Sequence, residues 1–264
     1  MSGVRLEVEV HLVTGTTTSV RNVVRSVNRA GLQVQDIVLE PLASAEAIVS
    51  AEEKELGILL IDLGGGTTDV ALFRDGAVWY TGVLPLGGDH ISNDIAVGLR
   101  TPTADAEELK KRHGCALTAL VREDETIDVP SVGGRKPRQL SRHILSEIIQ
   151  PRVEEIFTLV ARDLARAGLE DAAAAGVVVT GGTCIMRGVP ELAEQVFDVP
   201  VRRGAPTGLR GLADAVQSPI HATGVGLALY GARGHGGATT AEPTDGSVAQ
   251  RIRRRVREWV GDMF

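Results

Sequence analysis

The stretch L-L-I-D-L-G-G-G-T-T-D-V-A-L-F, Leu59–Phe73, decides the reading of the fold. An apolar run ends at Asp62, three glycines and two threonines follow, and a second apolar run opens after Asp69. Gly57–Asp62 reads as one strand and about Asp69–Phe73 as another, so two antiparallel strands meet at a glycine turn. With no side chains in the way, the backbone N–H groups of Gly64, Gly65 and Gly66 can converge on a phosphate. Thr67 and Thr68 add hydroxyl donors, and Asp62 stands where it can hold Mg²⁺ through water or orient an attacking water. Three glycines alone fit a plain tight hairpin equally well. The longer pattern D-x-G-G-G-T-T-D between two strands favours the phosphate.

Working outward, Asp75-Gly76 is a hairpin turn of the favoured kind, returning through Ala77–Leu84. Gly87-Gly88 precedes a helix near Ile91–Leu99. Upstream, Val4, Leu6, Val8, Val10 and Leu12 alternate with polar residues, the pattern of a half-buried strand over Val4–Leu12. A helix capped by Thr18 or Ser19 follows and ends at Gly31, then a strand near Val34–Leu39 and an Ala-rich helix over Ala43–Ala51. Downstream, residues 103–175 read as mostly helical with two short strands near 117–129 and a long helix, about Leu140–Ala167. Gly176–Thr180 is almost wholly apolar, as a strand buried on both faces would be. The glycine pair Gly181-Gly182 follows, then a helix near Val189–Phe197, a short strand at 199–202 and a last helix over about Thr223–Gly231.

The 264 residues are 43% hydrophobic and 23% charged, which excludes a disordered chain. No apolar run approaches the roughly 20 residues of a membrane span, and no secretory leader is readable at the start. Cys115 and Cys184 are too few for a disulfide scaffold. His113 beside Cys115 lacks further ligands, so no metal centre of that kind is expected. The net charge of −6 argues against nucleic acid as a partner. That average hides residues 248–264, which carry five arginines against Glu258 and Asp262.

Those residues, V-A-Q-R-I-R-R-R-V-R-E-W-V-G-D-M-F, place Ile252, Val256, Trp259, Val260, Met263 and Phe264 on one helical face. Arg251, Arg254, Arg255 and Arg257 mostly occupy the other. Such a helix suits the headgroup plane of an anionic membrane, at about 1 kcal/mol per arginine. Docking on the protein's own body or in a partner's groove would use the same face. The glycine-rich stretch 233–247, with no apolar side chain larger than alanine or proline, reads as a flexible linker and favours the membrane.

Several runs resemble the actin and Hsp70 ATPase superfamily. E-P-L-A-S-A-E-A followed by L-L-I-D-L-G-G-G-T-T-D-V resembles its second phosphate loop. V-V-V-T-G-G-T-C-I-M-R-G-V-P-E-L, Val177–Leu192, resembles its adenosine motif, with Gly181 and Gly182 against the nucleoside. A-E-E-L-K-K, Ala106–Lys111, resembles the helix that contacts the adenosine, where Glu107, Lys110 and Lys111 share one side by spacing. By spacing alone they would be a solvated face. T-P-T-A-D-A-E-E-L-K-K-R-H-G-C-A, V-P-S-V-G-G-R-K-P-R and the linker with its basic helix resemble, more specifically, the FtsA family of bacterial cell-division proteins.

The resemblance implies a partial α/β actin-like ATPase (ribonuclease H-like) fold with a mostly helical upper subdomain and a C-terminal amphipathic helix. It divides the chain at 1–56 (the end of a small inserted subdomain and part of the first core), 57–100 (second core with the phosphate loop), 101–175 (upper subdomain), 176–232 (second core with the adenosine motif), 233–247 (linker) and 248–264 (membrane helix). It implies ATP and Mg²⁺ as ligands, with nucleotide mainly a structural and switching ligand and any hydrolysis slow, Asp62 serving metal or water. The implied partners are the FtsZ C-terminal tail, other divisome proteins, anionic lipid and further copies in a polymer, on the cytoplasmic face of the inner membrane at the septum. The family's first phosphate loop has no counterpart here. The resemblance therefore implies that about a third of its length is missing at the N-terminus, and that this chain alone binds ATP weakly or not at all. A pilus-assembly actin homologue, an Hsp70-type chaperone and a sugar or acetate kinase would share the fold. The chaperone would need a substrate domain after the ATPase, the kinase a second substrate pocket, and the pilus homologue lacks the tail.

Overall fold

The computed structural model describes residues 7, 8, 10–131, 133, 136–209 and 213–235. The chain to Leu229 is one compact unit, and the residues from Tyr230 onward form a second. In order, the elements are α1 (Thr17–Arg29), α2 (Glu40–Ile48), α3 (Ala51–Leu56), β1 (Ile58–Leu63), β2 (Thr68–Arg74), β3 (Ala77–Leu84), α4 (Gly88–Leu99) and α5 (Thr103–His113). Then come β4 (Thr126–Val129), β5 (Arg138–Ser141), α6 (Arg142–Arg166), β6 (Val177–Thr180), α7 (Val189–Phe197), β7 (Val201–Arg203), α8 (Ala213–Val216) and α9 (Ala222–His235).

Five strands form one sheet in the order β3-β2-β1-β6-β7. The first three run antiparallel, as a hairpin chain must, and β1, β6 and β7 run parallel. β1 is buried along its whole length, so its apolar run does not alternate, yet its side chains still divide by period two between two cores. Leu59, Ile61 and Leu63 face one core with Val70, Leu72, Val177 and Val179, closed by α4, α6 and α7. Ile58 and Leu60 face the other with Ala71, Phe73 and Val178, closed by Ala45, Ala47 and Ile48 of α2 and Ala222 of α9. The result is a sheet covered by helices on both faces.

Helix α6 buries Leu145, Ile149, Val153, Ile156, Val160 and Leu164, a three-and-four spacing that keeps one stripe against the core. The ribbon β4–β5 is a separate two-stranded sheet. Of the two strands expected near 117–129, β4 is present, and the other is corrected, since β4 pairs with β5 beyond that range. Residues 118–120 form a 3-10 turn whose start is held by Gln150, which accepts from the Thr118 N–H and hydroxyl at 2.8 and 2.9 Å.

The N-terminal expectations are also corrected. Residues 7, 8 and 10–13 carry no strand, and neither do residues 32–39. Val10 and Leu12 are 70% and 80% exposed rather than half-buried. Alternation selects a face, but a strand also needs a ladder partner, and these segments have none among the described residues. Residues 4–6 and 9 of the expected first strand lie outside the described residues. Helix α1 begins after Thr16, earlier than the expected caps, and buries no side chain. Helix α9 runs on to His235, past the expected end at Gly231 and into the expected linker; residues 236–264, including every residue assigned to membrane contact, lie outside the described residues. Among the described residues no helix is long and apolar enough to cross a membrane.

Candidate nucleotide site

Parallel pairing sets Asp62 opposite Thr180, so the loops that leave β1 and β6 emerge side by side at the carboxyl ends of the central strands. Gly181 makes the join possible. Its φ is +84°, and a Cβ there would lie 2.5 Å from both the Asp62 carboxylate and the Leu63 carbonyl.

The loop after β1 is held from outside by its carbonyls. The Gly64 N–H donates to the Thr67 carbonyl at 3.0 Å and closes the turn. The Gly64 carbonyl accepts from the Gly88 N–H at 2.9 Å and from the Thr183 hydroxyl at 3.1 Å, and the Gly65 carbonyl accepts from the Asp89 N–H at 2.8 Å. The first turn of α4 is therefore docked onto the loop, and among the described residues the N–H groups of Gly65 and Gly66 have no protein acceptor. The threonines are engaged elsewhere. Thr67 donates to Asp69 at 3.1 Å, and the buried Thr68 donates to the Leu86 carbonyl at 2.8 Å.

Helix α5 buries Ala106 and Leu109 and brings Lys110 with them, only 9% exposed. A buried ammonium must be paired. Lys110 Nζ donates to the Gly88 carbonyl at 2.7 Å and to Ser92 Oγ at 2.8 Å, and sits 2.6 Å from Glu107. Ser92 donates in turn to Glu107. Burial pushes the Glu107 carboxyl up, but the bonds from Lys110 and Ser92 and the Lys110 charge outweigh it and bring it down to about 2. Lys111 lies 3.3 Å from the other Glu107 oxygen and is more than half exposed. The solvated-face alternative holds for Lys111 and fails for Lys110.

Asp62 lies deeper, accepting from Ser44 Oγ at 2.9 Å. Burial, then the field of Asp69, raises its pKa against the pull of Ser44 and Thr223. Glu40 is raised by burial and by the fields of Asp69 and Asp62, and Asp69 by burial. Three carboxyls held against their charge are a hard-oxygen donor set of the kind that suits Mg²⁺. Among the described residues, however, no three such side chains are grouped closely enough to ligate a metal. Any ion held here would have to be reached through water.

Gly65, Glu107, Lys110, Lys111 and Gly182 line one cavity of about 540 Å³, a volume that suits a small-molecule ligand. Asp62, Gly64, Gly66, Thr67, Thr68 and Gly181 are not on its wall. The sequence reading missed Gly88, Asp89, Thr183, Arg142 and Arg187 on that wall, and an apolar side made by Ile185, Met186 and Ile220. The pair Gly87-Gly88 was the available signal for the first of these. Arg142 enters from α6, donating to the His113 carbonyl at 2.8 Å and to Glu125 at 2.5 Å. A second cleft of about 270 Å³ is lined by Asp105, Glu108, Leu109, Arg112 and His113 of α5 with Asp128 and Pro130.

The sequence profile of the family described as cell division protein FtsA matches residues 59–226. The chain belongs to the FtsA family. Cell division protein FtsA of Pseudomonas aeruginosa is 48% identical over 269 residues, and that of Escherichia coli K12 is 40% identical over 273. Each alignment covers all of this chain, which spans only 64% and 65% of those relatives' lengths. Among solved structures, MreB5 of Spiroplasma citri bound to ADP superimposes with a TM-score of 0.67 at 20% identity, over 83% of this chain and 67% of that one. A PilM–PilN type IV pilus biogenesis complex gives 0.61 at 21%, over 80% and 57%. At such identities they show the fold alone, which is actin-like.

Proposed function

We propose that the FtsA-family site takes a purine nucleoside polyphosphate in the 540 Å³ cavity as a structural and switching ligand, which this chain alone holds weakly. The observation that carries this reading is the convergence of three separate segments on that cavity: the loop after β1, the loop after β6, and α5 with Glu107 and Lys110. The bare N–H group of Gly65 faces phosphate oxygens, Glu107 accepts from ribose hydroxyls, and the apolar side takes the base. The ADP in the MreB5 structure of the same fold supports the choice of ligand. Mg²⁺ would be held through water from Asp62 and supply charge neutralisation at the phosphates. The chain would be at most a slow ATPase.

Around this core we place the family's role: a cytoplasmic, septal anchor that polymerises, joins other divisome proteins and ties the FtsZ C-terminal tail to the inner membrane. Residues 101–175 would form the upper subdomain that receives that tail, and residues 248–264 the helix that lies on anionic lipid. One tail holds reversibly and a polymer of tails holds firmly by avidity. The test is co-flotation of FtsZ with anionic vesicles in the presence of the 264-residue chain. FtsZ should float with the native chain and stay behind with Trp259→Glu, which puts a charge on the inserting face. Equal flotation with the variant removes the anchoring reading.

A further inference from the structure

The cavity wall carries five cations, and four of them are committed. Lys110 and Lys111 are paired with Glu107 at 2.6 and 3.3 Å, Arg112 with Glu108 at 3.3 Å, and Arg142 with Glu125 at 2.5 Å. Arg187 is different. Among the described residues its guanidinium has no hydrogen-bonded or ion-paired partner, and it feels Glu125 only through space. Its backbone, by contrast, is fixed: the Arg187 carbonyl accepts from the Ala116 N–H at 2.7 Å, and Cys115 bridges to Arg187 in parallel. A free planar cation on an anchored backbone stands beside the apolar side of the cavity. That side is built by Ile185 and Met186, which immediately precede it, and by Ile220, which packs 3.9 Å from a Cβ built on Gly182.

Each end of the cavity has its own chemistry. On the nucleotide reading, phosphate oxygens go to the Gly65 N–H group, and a carboxylate such as Glu107 repels them. Ile185, Met186 and Ile220 offer a purine ring contact area but no hydrogen bond. What that end lacks is a cover on the outer face of the ring, and an arginine is the side chain that stacks flat on a π-face while staying hydrated at its edge.

We propose that Arg187 is a base-binding residue of the nucleotide site, laying its guanidinium on the base and closing that end of the cavity. This rests on the nucleotide reading given above. Being exposed and unpaired, Arg187 can be replaced without cost to the fold, so ligand-free Arg187→Ala and Arg187→Lys should melt with the native chain.

The experiment titrates the 264-residue chain and both variants with ATP and, separately, with inorganic tripolyphosphate, which has phosphates and no base. Arg187→Ala should weaken ATP by roughly fivefold to thirtyfold and leave tripolyphosphate within about twofold. Arg187→Lys should lose most of the same affinity, because it keeps the charge and loses the plane. Full rescue by lysine, or a parallel loss of tripolyphosphate, overturns stacking in favour of a simple charge effect on phosphate. Native affinity for ATP in Arg187→Ala also overturns it while leaving the nucleotide site standing. A native chain that takes up no ATP at millimolar concentration overturns both readings.

Discussion

Lys110→Met removes the ammonium from the α5 network while keeping most of its apolar stem in place. Three acceptors lose their donor: the Gly88 carbonyl, Ser92 Oγ and the Glu107 carboxylate. Removing one partner from a fully buried pair costs about 3–5 kcal/mol. Here the lysine side chain is 10% exposed but the glutamate 31%, so water can recover part of the glutamate's loss. A cost of about 2–3 kcal/mol follows, or a fall of roughly 5–10 °C in Tm for a chain of this size. The pH dependence carries its own signature. Glu107 is held at about 2 against an ordinary value of 4.5. A depressed carboxyl contributes stability that is complete above the ordinary value and is lost as pH falls toward the depressed one. The gap between native and variant in urea unfolding should therefore be full near neutrality and shrink progressively below about pH 4.5. Adding Glu107→Gln to Lys110→Met should cost much less than the sum of the single changes. A loss below about 0.5 kcal/mol, a gap that does not move with pH, or strict additivity would refute the network.

Three further outcomes are expected. Asp62→Asn should raise Tm near neutral pH, because an acid whose pKa the fold raises is destabilising once ionised. That gain should vanish as pH falls below the ordinary carboxylate value, and a variant that melts lower than the native chain at neutral pH counts against it. Gly226→Ala should destabilise by about 1–3 kcal/mol, since its Cβ would lie 1.7 Å from the Ala43 carbonyl where α9 crosses α2. Gly224→Ala on the same helix meets nothing within 4 Å and should gain up to about 1 kcal/mol in the same thermal melts, so equal effects at the two sites would refute the close approach.

The central hairpin and β6 were legible because they are local: an apolar run, a glycine turn and a returning run need no distant partner to be recognised. The glycine pair at 181–182 was legible for the same reason, although only the parallel β1–β6 register brings it against Asp62. The α5 side chains were half legible. Spacing put Glu107, Lys110 and Lys111 on one side, but spacing carries no information about depth, and lysine ordinarily favours water. Lys110 is buried because the Gly88 carbonyl and Ser92, some twenty residues upstream, supply its partners. Arg142 and Arg187 were invisible because they reach the cavity from α6 and from the turn before α7, far apart in sequence. The alternation at Val8, Val10 and Leu12 misled, since it describes a face without naming what pairs with the edge.

Helix α5 is a party wall. Glu107, Lys110 and Lys111 front the larger cavity, Asp105, Leu109 and His113 front the smaller cleft, and Arg112 borders both. An α-helix of 11 residues hydrogen-bonded along its length moves as a rod, so it cannot give way on one side without advancing on the other. A shift of α5 toward either chamber would narrow that one and widen the other, so the two share a single partition.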